Sequence, residues 1–291
     1  MLKPIATVIT LLLPAFTHSA EDRFAGIEVQ AQRVSGSVYM LTGAGGNIGV
    51  SIGDDGTLII DDQYAPLAER ILSTIVEIGG ARPKIVLNTH YHGDHTGSNA
   101  FFGTAGTIIA HDNVRTRLLG GDGGDRAALP VVTYHDRVRV HYNDDEIDVI
   151  HLPHGHTDGD SVAWFRNANV IHLGDHFFNG RFPYIDLQGG GSVTGFTANL
   201  QTVLDMVPAD VKIIPGHGPL ADAEDLRENL GVIKATAAQV TRALDAGQNV
   251  DDIVAQGLAG DLEDWGSGFI NEERWIRILH ADHTAASSVR N

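Results

Sequence analysis

The sequence predicts an α/β fold in which two mixed β-sheets pack together with helices on the outer faces. Three observations predict it. Short apolar runs broken by Gly- and Asp-bearing turns read as strands. Segments with apolar residues at helical spacing stand between them. The order runs strands, helix, strand, helix, strands, helix, strand, helix, giving two rough halves of several strands followed by a helix. No repeat relates the halves, and no Pro- or Ser-rich linker divides them.

Taken in order, IEVQAQRV, SVYMLTG, NIGVSIG and TLIIDD (27–62) are successive antiparallel strands separated by SG, AGG and DDG. A helix is predicted over Pro66–Ile78, with Leu67, Ile71, Ile75 and Ile78 as its apolar stripe and Gly79 at its C-terminal cap. PKIVLNT (83–89) reads as a buried strand, TIIAH (107–111) as another, with a helix over about 112–119. RVRVHY and EIDVIHL form a hairpin over 137–152 that turns at Asn143–Asp145. SVAWF and NVIHLGD are further strands joined at Asn167–Asn169. A helix over 194–207 buries Phe196, Leu200, Val203, Leu204 and Val207, and VKIIPGHG is one more strand with its exit loop. Leu226, Leu230, Ile233, Ala237, Val240 and Leu244 form one seam of a long helix over about 222–246, with acidic residues in its first turn. The tail (248–291) is expected to be a helical extension packed on the 21–247 domain, with a helix from Glu272. GGDGGD (120–125) resembles half of a calcium-binding repeat, but a single copy has no neighbour to complete the coordination and reads as a surface loop.

Of the 291 residues, 43% are hydrophobic and 20% charged, an ordinary globular composition. The formal charge of −17 repels polyphosphate backbones and anionic membranes, so no nucleic-acid partner is expected. There are no cysteines, which excludes disulfides, thiolate ligands and a Cys nucleophile. In residues 1–20, Lys3 precedes an apolar run over Ile5–Phe16, then small residues and the polar EDR. That is the pattern of a secretory signal peptide, and the run is too short to span a membrane. A periplasmic or secreted location is therefore expected. The sequence sets no oligomeric state.

The chemistry concentrates in LNTHYHGDHTGSN (87–99), at the C-terminal end of a predicted strand. In an extended segment His90 and His92 point to the same side, Asp94 continues that spacing, and His95 points differently. Such a run can face two adjacent metal ions, His90 and His92 toward one and Asp94 and His95 toward the other. Imidazole with carboxylate suits Zn²⁺, with Fe or Mn as alternatives. About three protein ligands per zinc are needed, so the run cannot close two sites alone. Other polar residues at the exits of apolar runs are His154 and His156, Asp175 and His176, and His217 between two glycines. For a lone histidine a capped or solvated structural role is the better reading.

Together, HxHxDH (His90–His95), GHT (Gly155–Thr157), LGD (Leu173–Asp175) and GHG (Gly216–Gly218) resemble, in that order, the metallo-β-lactamase superfamily. The resemblance covers roughly residues 35–245. It implies a four-layer αβ/βα sandwich with the metals in a groove at one edge. It assigns His90, His92 and His156 to a first zinc and Asp94, His95 and His217 to a second, with Asp175 bridging both. His154, His172 and His176 hold no motif position, although His154 and His176 would border the groove. His111, His135, His141, His151, His280 and His283 are expected to be structural or at the surface.

The activity implied is hydrolysis of a small-molecule carbonyl substrate by a zinc-bridging hydroxide, with Asp94 orienting the nucleophile and taking its proton. Export favours a β-lactam. A thioesterase or lactonase of the same fold is the alternative, because the family's β-lactamase subclass with Cys at the LGD position carries a substrate-binding Lys three residues later. Here those positions are Asp175 and Phe178, and Arg181 is the nearest cation in sequence. A non-catalytic periplasmic metal-binding accessory protein is the reading from another class, and the complete ligand set counts against it. The loop DLQGGGSVTGF (186–196) is expected to border the groove, its glycines suggesting mobility.

Overall fold

The computed structural model describes residues 22–120 and 125–290. The N-terminal segment 1–20 and the centre of GGDGGD lie outside the described residues. The first half contains strands β1 (Gln30–Ser35), β2 (Val38–Thr42), β3 (Ile48–Gly53) and β4 (Gly56–Ile60), then helix α1 (Ala68–Glu77). Strand β5 (Ile85–Leu87), the short helices α2 (Gly93–Thr96) and α3 (Asn99–Phe102), β6 (Thr107–His111), α4 (Asp112–Leu119) and β7 (Val132–Tyr134) follow. The second half has β8 (Arg137–Tyr142), β9 (Asp145–His151), β10 (Ser161–Phe165) and β11 (Val170–His172), then α5 (Val193–Met206), β12 (Lys212–Ile214) and β13 (Ala221–Asp222). Helices α6 (Ala223–Asp245), α7 (Val250–Gln256) and α8 (Glu272–Arg290) complete the chain.

Both sheets are mixed, as expected. One runs β1 to β7 in chain order, antiparallel through β4 and parallel from β4 to β7. The other runs β13-β12-β11-β10-β9-β8, with only β11 and β12 parallel. Alternation along the strands creates the layers. Leu58 and Ile60 of β4 point inward to meet Ile147, Val149 and Phe165 of the facing sheet. Ile59, between them, points outward with Leu41 and Val50 to meet Ile71 and Ile75 of α1. The second sheet's outer face, through Val162, Trp164, Ile171 and Ile213, packs on α5, α6 and α8. The result is the four-layer αβ/βα sandwich.

Several local expectations change. The first predicted strand shortens to β1, because Ile27 to Val29 have no partner strand. The predicted helix at Pro66 is a 3-10 turn (Ala65–Leu67) that feeds α1. Strand β7 was not expected: it is three residues long and carries Val132 on the surface, so it shows no alternation. The hairpin turns where expected, Asn143 and Asp144 both taking positive φ (53° and 60°) that Asn and Asp tolerate. In the tail, α7 was also missed. Trp275 of α8 is fully buried and donates its indole N–H to Thr236 Oγ1 of α6 at 2.9 Å.

Candidate metal centre

The polar residues singled out from sequence converge at one edge of the sandwich, where loops leave both sheets. His90 and His92 follow β5, and Asp94 and His95 ride the single turn of α2. His156 lies between β9 and β10, Asp175 in a 3-10 turn after β11, and His217 after β12. Two groups result: His90, His92, His156 and Asp175, and Asp94, His95 and His217. Asp175 faces both. Its Oδ2 lies 3.5 Å from His156 Nε2 and 3.8 Å from His90 Nε2, and its Oδ1 lies 3.0 Å from His95 Nε2 and 3.3 Å from His217 Nε2. Gly216 makes this approach possible, since a Cβ there would sit 2.2 Å from Asp175 Oδ1. The helical turn corrects the extended reading of the HxHxDH run. Winding after His92 brings Asp94 and His95 beside His217 rather than continuing along a strand.

The imidazole tautomers follow from the partners on their outer sides. His156 Nδ1–H donates to Tyr184 O (2.7 Å), His95 Nδ1–H to Asp61 Oδ2 (2.7 Å) and His92 Nε2–H to Asp186 Oδ2 (3.1 Å). Thr89 Oγ1 gives its proton to Asp61, so it accepts from His90 Nδ1–H at 3.1 Å. Each ring therefore turns a bare lone pair inward. His92 Nδ1 stands 3.1 Å from His90 Nε2 and 2.8 Å from His156 Nε2 with no proton available to lie between them. His95 Nε2 and Asp175 Oδ1 are buried without a hydrogen-bond partner despite their proximity. Lone pairs aimed at a common point call for a cation.

The charges agree. Burial holds His90 well below the usual imidazole range and lowers His156 to about 4, so both stay neutral. In the second group, burial opposes charge on His95 and His217. The carboxylates of Asp175 and Asp94 outweigh it, joined at His95 by Asp61, driving His95 well up and His217 to about 9. Around Asp175 burial is outweighed in turn by His95, His217, His90 and His156, which hold the carboxyl well below its usual range. These carboxylates demand positive charge, and in the absence of protons a metal ion supplies it. The donor set of imidazole and carboxylate fits zinc.

The family model described as the metallo-beta-lactamase superfamily matches residues 41–217. The chain belongs to the metallo-β-lactamase superfamily. It is 31% identical over 170 residues to a hydroxyacylglutathione hydrolase of Nitrosococcus oceani, spanning 57% of this chain and 58% of that one. The chain thus matches little more than half the length of that curated relative. Among solved structures, the metallo-β-lactamase of Pontibacter korlensis superposes with a TM-score of 0.62 at 16% identity, covering 71% of this chain and 99% of that one. The sec-alkyl sulfatase PisA1 superposes with a TM-score of 0.70 at 14% identity, covering 89% of this chain and 50% of that one. At such identities the superpositions establish the fold.

Five of the other described histidines of this superfamily member find partners outside the two groups. His172 is buried and donates to Asn47 O across the sheets. His176 is buried beside Asn199, and exposed His154 contacts Gly190 O. His111 stacks on His151 (3.7 Å, 13°) at the ends of β6 and β9.

Sequence reasoning missed the residues that orient the ligands. Asp61 holds His95 and Thr89 from behind, and Asp186 accepts from both His92 and the Tyr91 hydroxyl. Hydrogen bonds tie down the loop bearing Asp186. Gly189 N–H donates to Asp186 Oδ1 (2.8 Å), Asp158 N–H to Gly189 O (2.9 Å) and Ser192 N–H to Gly155 O (3.0 Å). Its glycines permit close packing, since a Cβ on Gly191 would sit 2.3 Å from His156 O. From Val193 onward the stretch is already helix α5. Asp186→Ala is expected to weaken zinc at the first group about 10- to 100-fold, the usual cost of losing a partner behind a metal-bound imidazole. Competition against a fluorescent zinc chelator measures it.

Proposed function

We propose that this chain is an exported zinc-dependent hydrolase of a thioester or ester, rather than primarily a β-lactamase. The observation that carries the choice is Phe178. It occupies the position where a substrate-binding lysine would stand three residues after Asp175, and its buried ring stacks on His217 (5.1 Å, 14°). No cation is offered there to a β-lactam carboxylate. Arg181, three residues further on, does not occupy that position, and its methylenes lie against Gly268. The thioester reading is also supported by the relatives named hydroxyacylglutathione hydrolase. Export rests on the apolar segment Ile5–Phe16 and the polar residues that follow it. Among the described residues no helix is long and apolar enough to cross a membrane.

His90, His92, His156 and Asp175 would hold one zinc, and Asp94, His95 and His217, with Asp175, a second. Bound there, zinc supplies Lewis acidity and lowers the pKa of water. The chain's own contribution is positional. Asp61, Thr89, Tyr184 and Asp186 fix the imidazole rings so that little reorganisation accompanies reaction. Asp94 is the more exposed of the two carboxylates, at 22% against 5% for Asp175, and lies 3.3 Å from His217 Nε2. Burial tends to raise its pKa, but His95 and His217 outweigh that and keep it ionised, ready to accept a proton from an attacking water. A complete donor set with oriented tautomers favours turnover over mere metal storage.

The test is a panel of a hydroxyacylglutathione, a lactone and nitrocefin, assayed with zinc-loaded wild type and His92→Ala. The expected result is thioester or ester turnover at least tenfold above nitrocefin in kcat/KM, lost in His92→Ala. Nitrocefin turnover above the others would restore the β-lactam reading. No turnover of any substrate would favour the accessory-protein reading.

A further inference from the structure

We propose that the C-terminal segment around Phe269 forms part of the substrate site, where Tyr184 and Phe269 receive an apolar, preferably aromatic, acyl arm of the substrate. The inference rests on the carbonyl-hydrolase reading above and adds the substrate's chemical class. Tyr184 is the link. Its ring centroid lies 5.9 Å from that of His92 and 5.7 Å from that of His156, so it walls the first metal group. It also meets Phe269 edge-on at 6.1 Å and 87°. Phe269 is 72% exposed, the one aromatic among the exposed large apolar side chains of the described residues. An exposed ring that continues a metal-site wall has the character of a binding surface, since ligand sites are lined largely by apolar and aromatic groups.

The surroundings hold that ring in place. Trp265 and Trp275 are buried on either side of it in sequence and pack against Phe182 at 6.1 and 5.9 Å, while Phe182 N–H donates to Trp265 O at 3.0 Å. Ile270, next to Phe269, is buried, so the chain is anchored immediately beyond the exposed ring. Arg274 donates to Phe269 O at 2.8 Å and lays its guanidinium 4.8 Å from the ring centroid. Such a fixed aromatic can contact a ligand without first losing much side-chain freedom. The segment also lies beyond residue 217, where the superfamily match ends. The extension would therefore contribute to the site from outside the matched region.

The experiment uses the zinc-loaded chain and two thioesters of N-acetylcysteamine that differ only in the acyl group, acetyl against phenylacetyl. Wild type is expected to prefer phenylacetyl. Phe269→Ala is expected to lower kcat/KM for phenylacetyl roughly five- to tenfold, through KM, and to lower it for acetyl by less than about twofold, as loss of an aromatic contact requires. Phe269→Tyr should keep the preference. Equal losses on both esters, no loss on either, or no preference in wild type would overturn the proposal. Calorimetric binding of phenylacetate to wild type and Phe269→Ala separates this failure from failure of the thioester reading. If neither ester is turned over, tighter phenylacetate binding to wild type still supports the aromatic wall, and equal or absent binding overturns it.

Discussion

Asp175→Ala is expected to lower bound zinc from about two per chain to one or fewer and kcat/KM by at least about a thousandfold, on the order of 4 kcal/mol of barrier. Asp175 is the carboxylate that faces both histidine groups, with Oδ1 toward His95 and His217 and Oδ2 toward His90 and His156. Its removal leaves inward-facing lone pairs without the anion that would help two dications share one cavity. Asp175→Asn separates charge from packing. It keeps the volume, and its metal loss is expected to approach that of alanine. Elemental analysis and steady-state kinetics on the two variants measure the effect. A wild-type zinc content in Asp175→Ala would refute the shared-carboxylate arrangement.

Asp61→Ala is expected to destabilise the fold by about 3–5 kcal/mol, a loss reserved for buried polar networks. The carboxylate is fully buried and accepts from Thr89 N, Thr89 Oγ1 and His95 Nδ1, each at 2.7 Å. Alanine strands three buried donors at once, each costing about 1–3 kcal/mol, with some relaxation among neighbours in one loop. The backbone adds to this, because Asp61 has φ 62°, where Asp is tolerated better than Ala. Denaturant unfolding of the zinc-free protein isolates the structural part. A loss below about 1 kcal/mol would mean that water replaces the carboxylate.

The residues that gather at the metal centre were visible in the sequence because each stands at the exit of an apolar run, flanked by glycine or a turn. The sandwich was visible because short apolar runs such as TLIIDD are broken by Gly- and Asp-bearing turns, with segments of helical spacing between them. The residues behind the ligands were hidden for a physical reason. Asp61 lies in a DD pair at a strand end whose two carboxylates are both buried, and which of them reaches His95 depends on a positive φ that no periodicity reports. Asp186 stands in a run with three glycines that reads as a flexible loop, whereas the folded chain packs Gly189 against Asp186, Gly190 against Asp158 and Gly191 against His156 O. Strand β7 and helix α7 were too short to show a period.

Zinc content of the wild-type chain tests the central claim most directly. After loading with excess zinc and dialysis against metal-free buffer, elemental analysis should find close to two zinc ions per chain, falling to about one or fewer in Asp175→Ala. Less than one zinc per wild-type chain, or a content unaffected by that substitution, would contradict a two-group centre built from His90, His92, Asp94, His95, His156, Asp175 and His217.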